Sequence, residues 1–466
     1  MRNLDTFSNP YGDGKVIDSC GLFGMMSLEG RTFPGSDAIC AMANMHARGN
    51  GLGGGFAAYG IYPDFADCYA LHVMFDSAAG RDATEARIAD TCEVVHDEAI
   101  PTKPTACTGP SPVLRRYFIS PKADPRDRCQ AARRLRKSSA TAAGPDDVIA
   151  ADDTTTDSAI GSVTDAATVV VDPTAGSRPG VTPCGQRDDE ADERIIALVM
   201  AINLQIDGAF VLSCGKNMGV FKGVGYPEDI GRFFRLDEYE GYLWTAHGRF
   251  PTNTQGWWGG AHPFSILDFT VVHNGEISSY GTNRGFLETQ GYRCALHTDT
   301  EVVAYAVDLL ARRHRLPMWL VAKVLAPPFW SSIDRMDDAE RQLCSALRVT
   351  YPDLLMNGPF TVIIASGDMM MGLRDRVELR PLVAATSGDM LYLSSEEAPI
   401  RLVTPDPDRV WVPRGGEAVI GRVGAKDVVT GTERGPVPKP GSADLGPDCA
   451  QQGTGRTQRE WMIGAG

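Results

Sequence analysis

The chain has 466 residues, of which 43% are hydrophobic and 22% charged, as in a globular protein with a substantial core. Its formal net charge of -14 argues against nucleic acid or an anionic membrane as the main partner. The 11 cysteines show no metal-ligand or cluster spacing, and without a secretory signal they favour reduced thiols in the cytoplasm. The best apolar run, residues 195–202, is too short to span a bilayer.

The first 19 residues are polar and rich in Gly, Asp, Asn and Pro, which is typical of a leader rather than of a structural element. Cys20 then opens an apolar run with glycines on both sides of Leu22 and Phe23, which predicts a buried strand that begins near the surface. Residues 37–46 have helical spacing. The glycine-rich stretch 53–60 predicts a strand that packs closely against a neighbouring backbone, because only glycine permits that approach.

The composition changes in the stretch 122–191. Between Lys122 and Glu190 there is no aromatic residue, and Leu135 is the only leucine. Because such a sequence cannot bury enough apolar surface to offset its ordering entropy, we predict a long disordered insertion. Its basic cluster, residues 133–137, is typical of a solvated charge run in an acidic protein.

The second half alternates predicted strands with grouped helices, which indicates an α+β layered domain. Helices are predicted over 192–203, over 300–313 and within 317–350. Strands are predicted at 209–213, 218–224, 241–246 and 269–273. Four further short strands with turn residues between them predict a β-meander, at 360–365, 369–373, 381–385 and 390–394. The Gly- and Pro-rich stretch 424–466 predicts a disordered tail.

Four pieces of sequence carry candidate functional residues, and each also has a plain structural interpretation. Cys20 alone fits a buried structural cysteine, and Arg249 alone fits a surface ion-pair residue. Asn274-Gly275 is the commonest hairpin turn dipeptide. The stretch 298–301, which contains Asp299, fits the cap of a following helix.

Together these residues supply the groups needed to hydrolyse the amide of a free amino acid. A guanidinium such as Arg249 can bind an α-carboxylate through two parallel hydrogen bonds, and a carboxylate such as Asp299 can hold an α-ammonium. A side-chain amide and an adjacent backbone N–H, as at Asn274 and Gly275, can bind a tetrahedral oxyanion. A thiol such as Cys20 can attack the amide carbon.

The motifs Cys-Gly-x-x-Gly, His-Gly-Arg, His-Asn-Gly-Glu-Ile and Thr-Asp-Thr-Glu occur in this order and form a specific combination. Further matching pieces lie at 46–49, 215–225, 374–375, 380–382 and 394–396. With these motifs the chain resembles a class II glutamine amidotransferase of the N-terminal-nucleophile (Ntn) hydrolase superfamily. It is most similar to the stand-alone amidotransferase subunit of archaeal-type glutamate synthases. The resemblance covers 20–121 and 192–423 and implies a four-layer αββα sandwich.

The resemblance also implies the roles of the site residues. It makes Cys20 the nucleophile, and Asn274 and Gly275 the oxyanion pair. It makes Arg249, Asp299, Thr252 and His262 the residues that bind the substrate L-glutamine. It implies no metal and no cofactor in this chain, whereas FMN and iron–sulfur clusters are expected in partner subunits.

The mechanism of this family uses the nucleophile's own α-amino group as the general base. A free α-amine titrates near pH ~8 and can take the thiol proton, whereas a nitrogen held in an amide cannot. We therefore expect the leader, residues 1–19, to be removed at Ser19-Cys20, by Cys20 itself or by a host peptidase.

The same resemblance implies that the ammonia goes to a separate flavin-containing synthase subunit, which makes glutamate from 2-oxoglutarate or N-methylglutamate with methylamine. Two other functions stay open at this point. One is a non-catalytic regulatory subunit that retains its leader. The other is an Ntn hydrolase of another amide, which the pairing of Arg249 with Asp299 disfavours.

Overall fold

The apolar run that follows Cys20 forms a strand in which every residue is buried. The computed structural model describes residues 20–105, 111–122, 189–250, 256–425 and 427–430. Its first strands are β1 (Gly21–Ser27), β2 (Phe33–Pro34), β3 (Gly54–Tyr59), β4 (Tyr69–Phe75), β5 (Cys92–Ala99), β6 (Val113–Pro121), β7 (Ala209–Ser213), β8 (Met218–Gly223), β9 (Glu240–Gly241) and β10 (Leu243–Gly248). The later strands are β11 (Phe264–Ile266), β12 (Phe269–Gly275), β13 (Phe360–Ser366), β14 (Met369–Arg374), β15 (Val383–Ser387), β16 (Met390–Ser394), β17 (Arg409–Trp411), β18 (Val419–Arg422) and β19 (Val429–Thr430).

These strands form antiparallel sheets in which neighbours are often distant in sequence. A seven-stranded sheet has the order β17-β15-β16-β1-β10-β3-β8, and a six-stranded sheet has the order β11-β12-β13-β14-β18-β19. A four-stranded sheet has the order β5-β6-β4-β7, and β2 pairs with β9. β1 therefore lies in the middle of the largest sheet, between β10 and β16.

Helices surround the sheets. They are α1 (Ser36–Asn44), α2 (Ala78–Thr91), α3 (Asp189–Gln205), α4 (Pro227–Phe233), α5 (Tyr280–Thr289), α6 (Asp299–Val307), α7 (Met318–Leu325), α8 (Trp330–Ile333), α9 (Asp338–Thr350) and α10 (Glu397–Val403). A π-helical segment, Asp308–Arg313, continues directly from α6.

Alternation along β1 explains how the two large sheets pack. Leu22 and Met26 join a core shared with Val272 and Ile363 of the six-stranded sheet. Phe23 and Met25 point to the opposite face and pack in a second core with residues of α1, α4 and α10. Successive side chains of a strand leave on opposite faces, so β1 contributes to both cores. The outer face of the six-stranded sheet packs in a third core with residues of α6 and α7.

Most of the predicted elements are present within a few residues of the predicted positions, and the mixed α and β composition is confirmed. The close backbone approach predicted for 53–60 is also confirmed at Gly55. A Cβ atom there would lie 2.3 Å from the carbonyl oxygen of His262. The helix predicted over 300–313 begins at Asp299 and ends as the π-helical segment.

The predicted β-meander is wrong. β13 and β14 pair in the six-stranded sheet, whereas β15 and β16 pair in the seven-stranded sheet. The connection between β14 and β15 turns at Asp375, whose carboxylate accepts backbone N–H groups of Val377, Leu379 and Arg380. Leu382 then packs in the core between the sheets, so this connection carries the chain from one sheet to the other.

Two predicted segment boundaries also shift. α3 begins at Asp189, so residues 189–191 belong to a helix rather than to the insertion. β19 lies within the predicted tail and pairs with β18. The predicted leader, the stretch 123–188 of the predicted insertion and residues 431–466 of the predicted tail lie outside the described residues.

Candidate active site

Three strand ends bring the predicted site residues together. Cys20 directly precedes β1, and Arg249 directly follows β10. These two strands are antiparallel and pair Gly21 with Gly248, so Cys20 and Arg249 are neighbours across the sheet. β12 of the other large sheet ends nearby at Gly275. A hydrogen bond of 2.9 Å between His247 Nε2 and the carbonyl oxygen of His273 connects β10 with β12.

A cleft of about 320 Å³ opens at this point. Five of the seven predicted site residues line it: Cys20, Arg249, His262, Gly275 and Asp299. The side chain of Asn274, which is 1% exposed, is buried directly beside the cleft on β12. Thr252 lies outside the described residues. The remaining lining residues are Phe250, His273, Glu276, Ile277, Tyr280, His297, Thr298 and Thr300.

Hydrogen bonds hold both the side chain and the backbone of Cys20. Its Sγ accepts a hydrogen bond of 3.4 Å from the backbone N–H of Phe250. Its carbonyl oxygen accepts one of 3.2 Å from Arg48 Nε, and Arg48 also forms an ion pair of 2.5 Å with Glu396. The predicted motif pieces 46–49 and 394–396 therefore converge on the backbone of Cys20. The partly exposed thiol faces the cleft.

Arg249 is not a surface ion-pair residue, because only 8% of it is exposed. Burial lowers the pKa of its guanidinium, and the neighbouring Cys20 and Asp299 oppose that shift. A guanidinium remains charged in proteins even so. The cleft therefore contains a largely desolvated positive charge beside the thiol.

Gly275 ends β12 and does not form a hairpin turn, since the chain continues into α5. Its φ of 147° lies in the region that favours glycine, and a Cβ atom would lie 2.0 Å from the carbonyl oxygen of Pro359. Any other residue at this position would displace the backbone. Glycine is thus required at the edge of the cleft where the oxyanion pair is predicted.

Asp299 is the first residue of α6, and the N-cap residue Thr298 makes no side-chain capping hydrogen bond. Its Oδ2 accepts a hydrogen bond of 3.1 Å from the backbone N–H of Ile277, and its Oδ1 lies 3.4 Å from His273 Nδ1. Burial alone would raise the pKa of this carboxyl, but His273 and two backbone N–H groups hold it below its usual value. Asp299 is therefore a carboxylate at neutral pH.

Thr300 connects two of the histidines that line the cleft. Its hydroxyl lies 2.7 Å from His262 Nε2 and 3.2 Å from His273 Nδ1. Burial and the neighbouring positive charges lower the pKa of His262 well below its usual value, so its ring is neutral. We assigned no role to His273 or Thr300 from the sequence. The sequence does contain an indication of a role for His273, because a histidine inside the apolar strand run 269–273 needs a buried polar partner.

Residues 191–410 match the profile of the family described as glutamine amidotransferases class-II. Residues 191–410 therefore form part of a class-II glutamine amidotransferase domain. The amidotransferase profile spans Arg249, Asn274, Gly275 and Asp299. Cys20 lies outside the matched range and enters the site through the pairing of β1 with β10.

Similar proteins occur in several organisms. An uncharacterized protein of Archaeoglobus fulgidus is 46% identical over 89% of this chain and 94% of its own length. A glutamine–fructose-6-phosphate aminotransferase (isomerizing) of Zymomonas mobilis is 30% identical over 37% of this chain, and the match spans only 28% of that enzyme. Among solved structures, a glutamine phosphoribosylpyrophosphate amidotransferase from B. subtilis matches 47% of this chain and 40% of its own, with a TM-score of 0.32 and 19% identity.

Within the described residues, no helix combines the length and apolar character needed to cross a bilayer. The same residues contain no group of three or more His, Cys, Asp or Glu side chains arranged to hold a metal ion.

Proposed function

We propose that the chain hydrolyses L-glutamine to glutamate and ammonia, with Cys20 as the nucleophile. The observation that carries this proposal is the composition of the cleft. One desolvated guanidinium, Arg249, and one ionised carboxylate, Asp299, lie in the same cleft as the thiol. These opposite charges match the α-carboxylate and α-ammonium of a free amino acid, which supports an amino-acid amide as the substrate.

In the proposed reaction, Arg249 binds the α-carboxylate and Asp299 binds the α-ammonium of glutamine, while Thr252 and His262 contribute to the binding site. The Cys20 sulfur attacks the side-chain amide carbon, and the oxygen of the tetrahedral intermediate receives hydrogen bonds from Asn274 and Gly275. Ammonia leaves as the thioester forms, and water then releases glutamate.

The general base of this reaction is the α-amino group of Cys20, which must be free to accept the thiol proton. We therefore propose that the active protein begins at Cys20. Intact-mass measurement on glutaminase-active protein tests this maturation step. Active protein that still carries residues 1–19 would contradict it.

The proposal extends to the ammonia acceptor and to the architecture. We propose that ammonia passes to a flavin-containing synthase of glutamate-synthase or N-methylglutamate-synthase type, that FMN and iron–sulfur clusters belong to that partner, and that the complex is cytoplasmic. We further propose a four-layer αββα sandwich of Ntn-hydrolase type. The cores on both faces of β1 and on the outer face of the six-stranded sheet support this arrangement.

Direct measurement of glutamate release from L-glutamine tests the function, with L-asparagine as the control substrate. Release from glutamine that exceeds release from asparagine by at least about a hundredfold is the expected result. Release from neither amide would favour a non-catalytic regulatory subunit, and faster release from asparagine or another amide would favour a different Ntn hydrolase.

A further inference from the structure

Lys222 is a buried lysine beside the cleft to which the proposed reaction assigns no role. It lies on β8, the edge strand of the seven-stranded sheet, and is 1% exposed. Among the described residues its ammonium forms no ion pair. Its Nζ donates one hydrogen bond, of 3.1 Å, to the carbonyl oxygen of Pro263 and lies 4.5 Å from the ring centre of Phe264.

A lysine in this position is costly for the folded state. Burial and the nearby positive charge of Arg249 lower its pKa to about 7, and Glu301 only partly opposes this. His262 is a further titratable group next to it. Since buried lysines are rare without an anionic partner, and a hydrophobic residue of similar volume would fill the site at less cost, Lys222 does not serve stability.

The hydrogen bond of Lys222 joins the edges of the two large sheets. Its acceptor, Pro263, directly precedes β11, the edge strand of the six-stranded sheet. On the neighbouring strand β3, Gly55 leaves room for the same segment. A Cβ atom at Gly55 would lie 2.3 Å from the carbonyl oxygen of His262 and 2.6 Å from Lys222 Cβ. The carbonyl groups of residues 262 and 263 thus pack directly against strands β3 and β8.

The packing of residues 262–263 on β3 and β8 is connected to Asp299, the carboxylate that is proposed to bind the substrate. The backbone of His262 is held by this packing. Its Nε2 forms a hydrogen bond of 2.7 Å with the hydroxyl of Thr300. Thr300 is the residue after Asp299, and its hydroxyl also lies 3.2 Å from His273, the imidazole that contacts Asp299. A displacement of the 262–263 segment would therefore reach the start of α6.

We infer that Lys222 is a positioning residue for glutamine binding: its hydrogen bond to Pro263 fixes His262, and through Thr300 it fixes Asp299. The inference rests on the proposed function. It assigns Lys222 no contact with the substrate and no part in bond making or breaking.

Lys222→Met tests the inference, because methionine keeps the length and volume of the side chain but removes the donor. KM for glutamine should rise about fivefold or more, the equivalent of one hydrogen bond, while kcat changes less than about twofold. Tm should stay equal or rise, because a buried amine is replaced by a thioether. Should K222M not fold, K222Q retains an N–H donor on a shorter chain and should give a smaller rise in KM.

Val220→Ala is the matched control, since Val220 is fully buried two residues away on the same face of β8. It should lower Tm through a cavity and leave KM unchanged. A K222M protein with wild-type KM and a lowered Tm would mean that Lys222 is merely structural and would overturn the inference. A wild-type protein that releases no glutamate would overturn the proposed function itself, and this inference with it.

Discussion

Arg312 in the helical layer and Lys222 beside the cleft are two buried basic residues that differ in how their charge is neutralised. Arg312 of the π-helical segment is 3% exposed and forms hydrogen bonds of 2.6 and 2.8 Å with the two carboxylate oxygens of Asp308. It donates a third, of 2.9 Å, to Glu193 of α3. Lys222 is as deeply buried but bonds a single neutral carbonyl group.

The pKa values of the two groups shift in opposite directions. Burial opposes the charge of Arg312, but Asp308 and Glu193 outweigh it and raise its pKa. Burial lowers the pKa of both Lys222 and Arg249 near the cleft. Asp308 and Glu193 neutralise Arg312 and so link two helical elements, whereas groups whose pKa is shifted away from their charged form are typical of functional sites. We therefore expect the helical cluster to be structural and the cleft to be functional, and each half of this contrast is testable.

The largest expected effect is loss of activity without loss of stability at the cleft. Cys20→Ala should reduce glutamate release by at least about ten-thousandfold, because the attacking atom is removed. Tm should change by no more than a few degrees. The exposed Cys40 supplies the control, and C40A should keep wild-type turnover. Residual C20A activity within about tenfold of wild type would exclude Cys20 as the nucleophile.

The helical cluster should show the reverse pattern. Arg312→Met leaves Asp308 buried without its guanidinium, so the free energy of unfolding should fall by about 3 kcal/mol. Chemical denaturation measures this change. KM for glutamine, determined on the folded protein, should stay within about twofold of wild type. A raised KM with unchanged stability would reverse the assignment of this cluster.

Removal of the ionised carboxylate should produce the next largest effect. Asp299→Asn keeps the shape of the side chain but removes the charge that is proposed to hold the substrate ammonium. The value of kcat/KM for glutamine should fall about a hundredfold, mainly through KM. Steady-state kinetics measures the split between kcat and KM. An unchanged KM would mean that Asp299 only stabilises the start of α6.

The smallest effect is a pH dependence of stability that comes from Lys222. Its pKa is about 7 in the folded chain, whereas an exposed lysine in the unfolded chain titrates near ~10.4. Between these values the unfolded state binds more protons, so the stability of wild type relative to K222M should increase with pH. The slope should be on the order of 1 kcal/mol per pH unit, measured by denaturation of both proteins between about pH 7 and about pH 9.

The sequence motifs identified the residues of the cleft better than they identified the sheet topology. Arg249, Asn274 and Asp299 lie in short motifs whose chemistry can be inferred from residue type alone. The pairing of β13 with β14, but of β16 with β1, depends on Asp375 and Leu382, whose effect on the chain direction has no local signature. Lys222 could not be recognised either, because a lysine between Phe221 and Gly223 looks like an exposed strand position until the second sheet covers it.

The central position of β1 has a consequence for how the protein is made. Phe23 pairs with Ala246 on one side and with Ser394 on the other, so both neighbours of β1 are synthesised long after it. Pairings of such long sequence separation form slowly, and an unpaired apolar strand is prone to aggregation. β1 therefore stays without its two sheet partners, β10 and β16, for most of translation. We therefore expect a partly synthesised chain to have no organised cleft around Cys20, because the last strands of its sheet leave the ribosome long after β1.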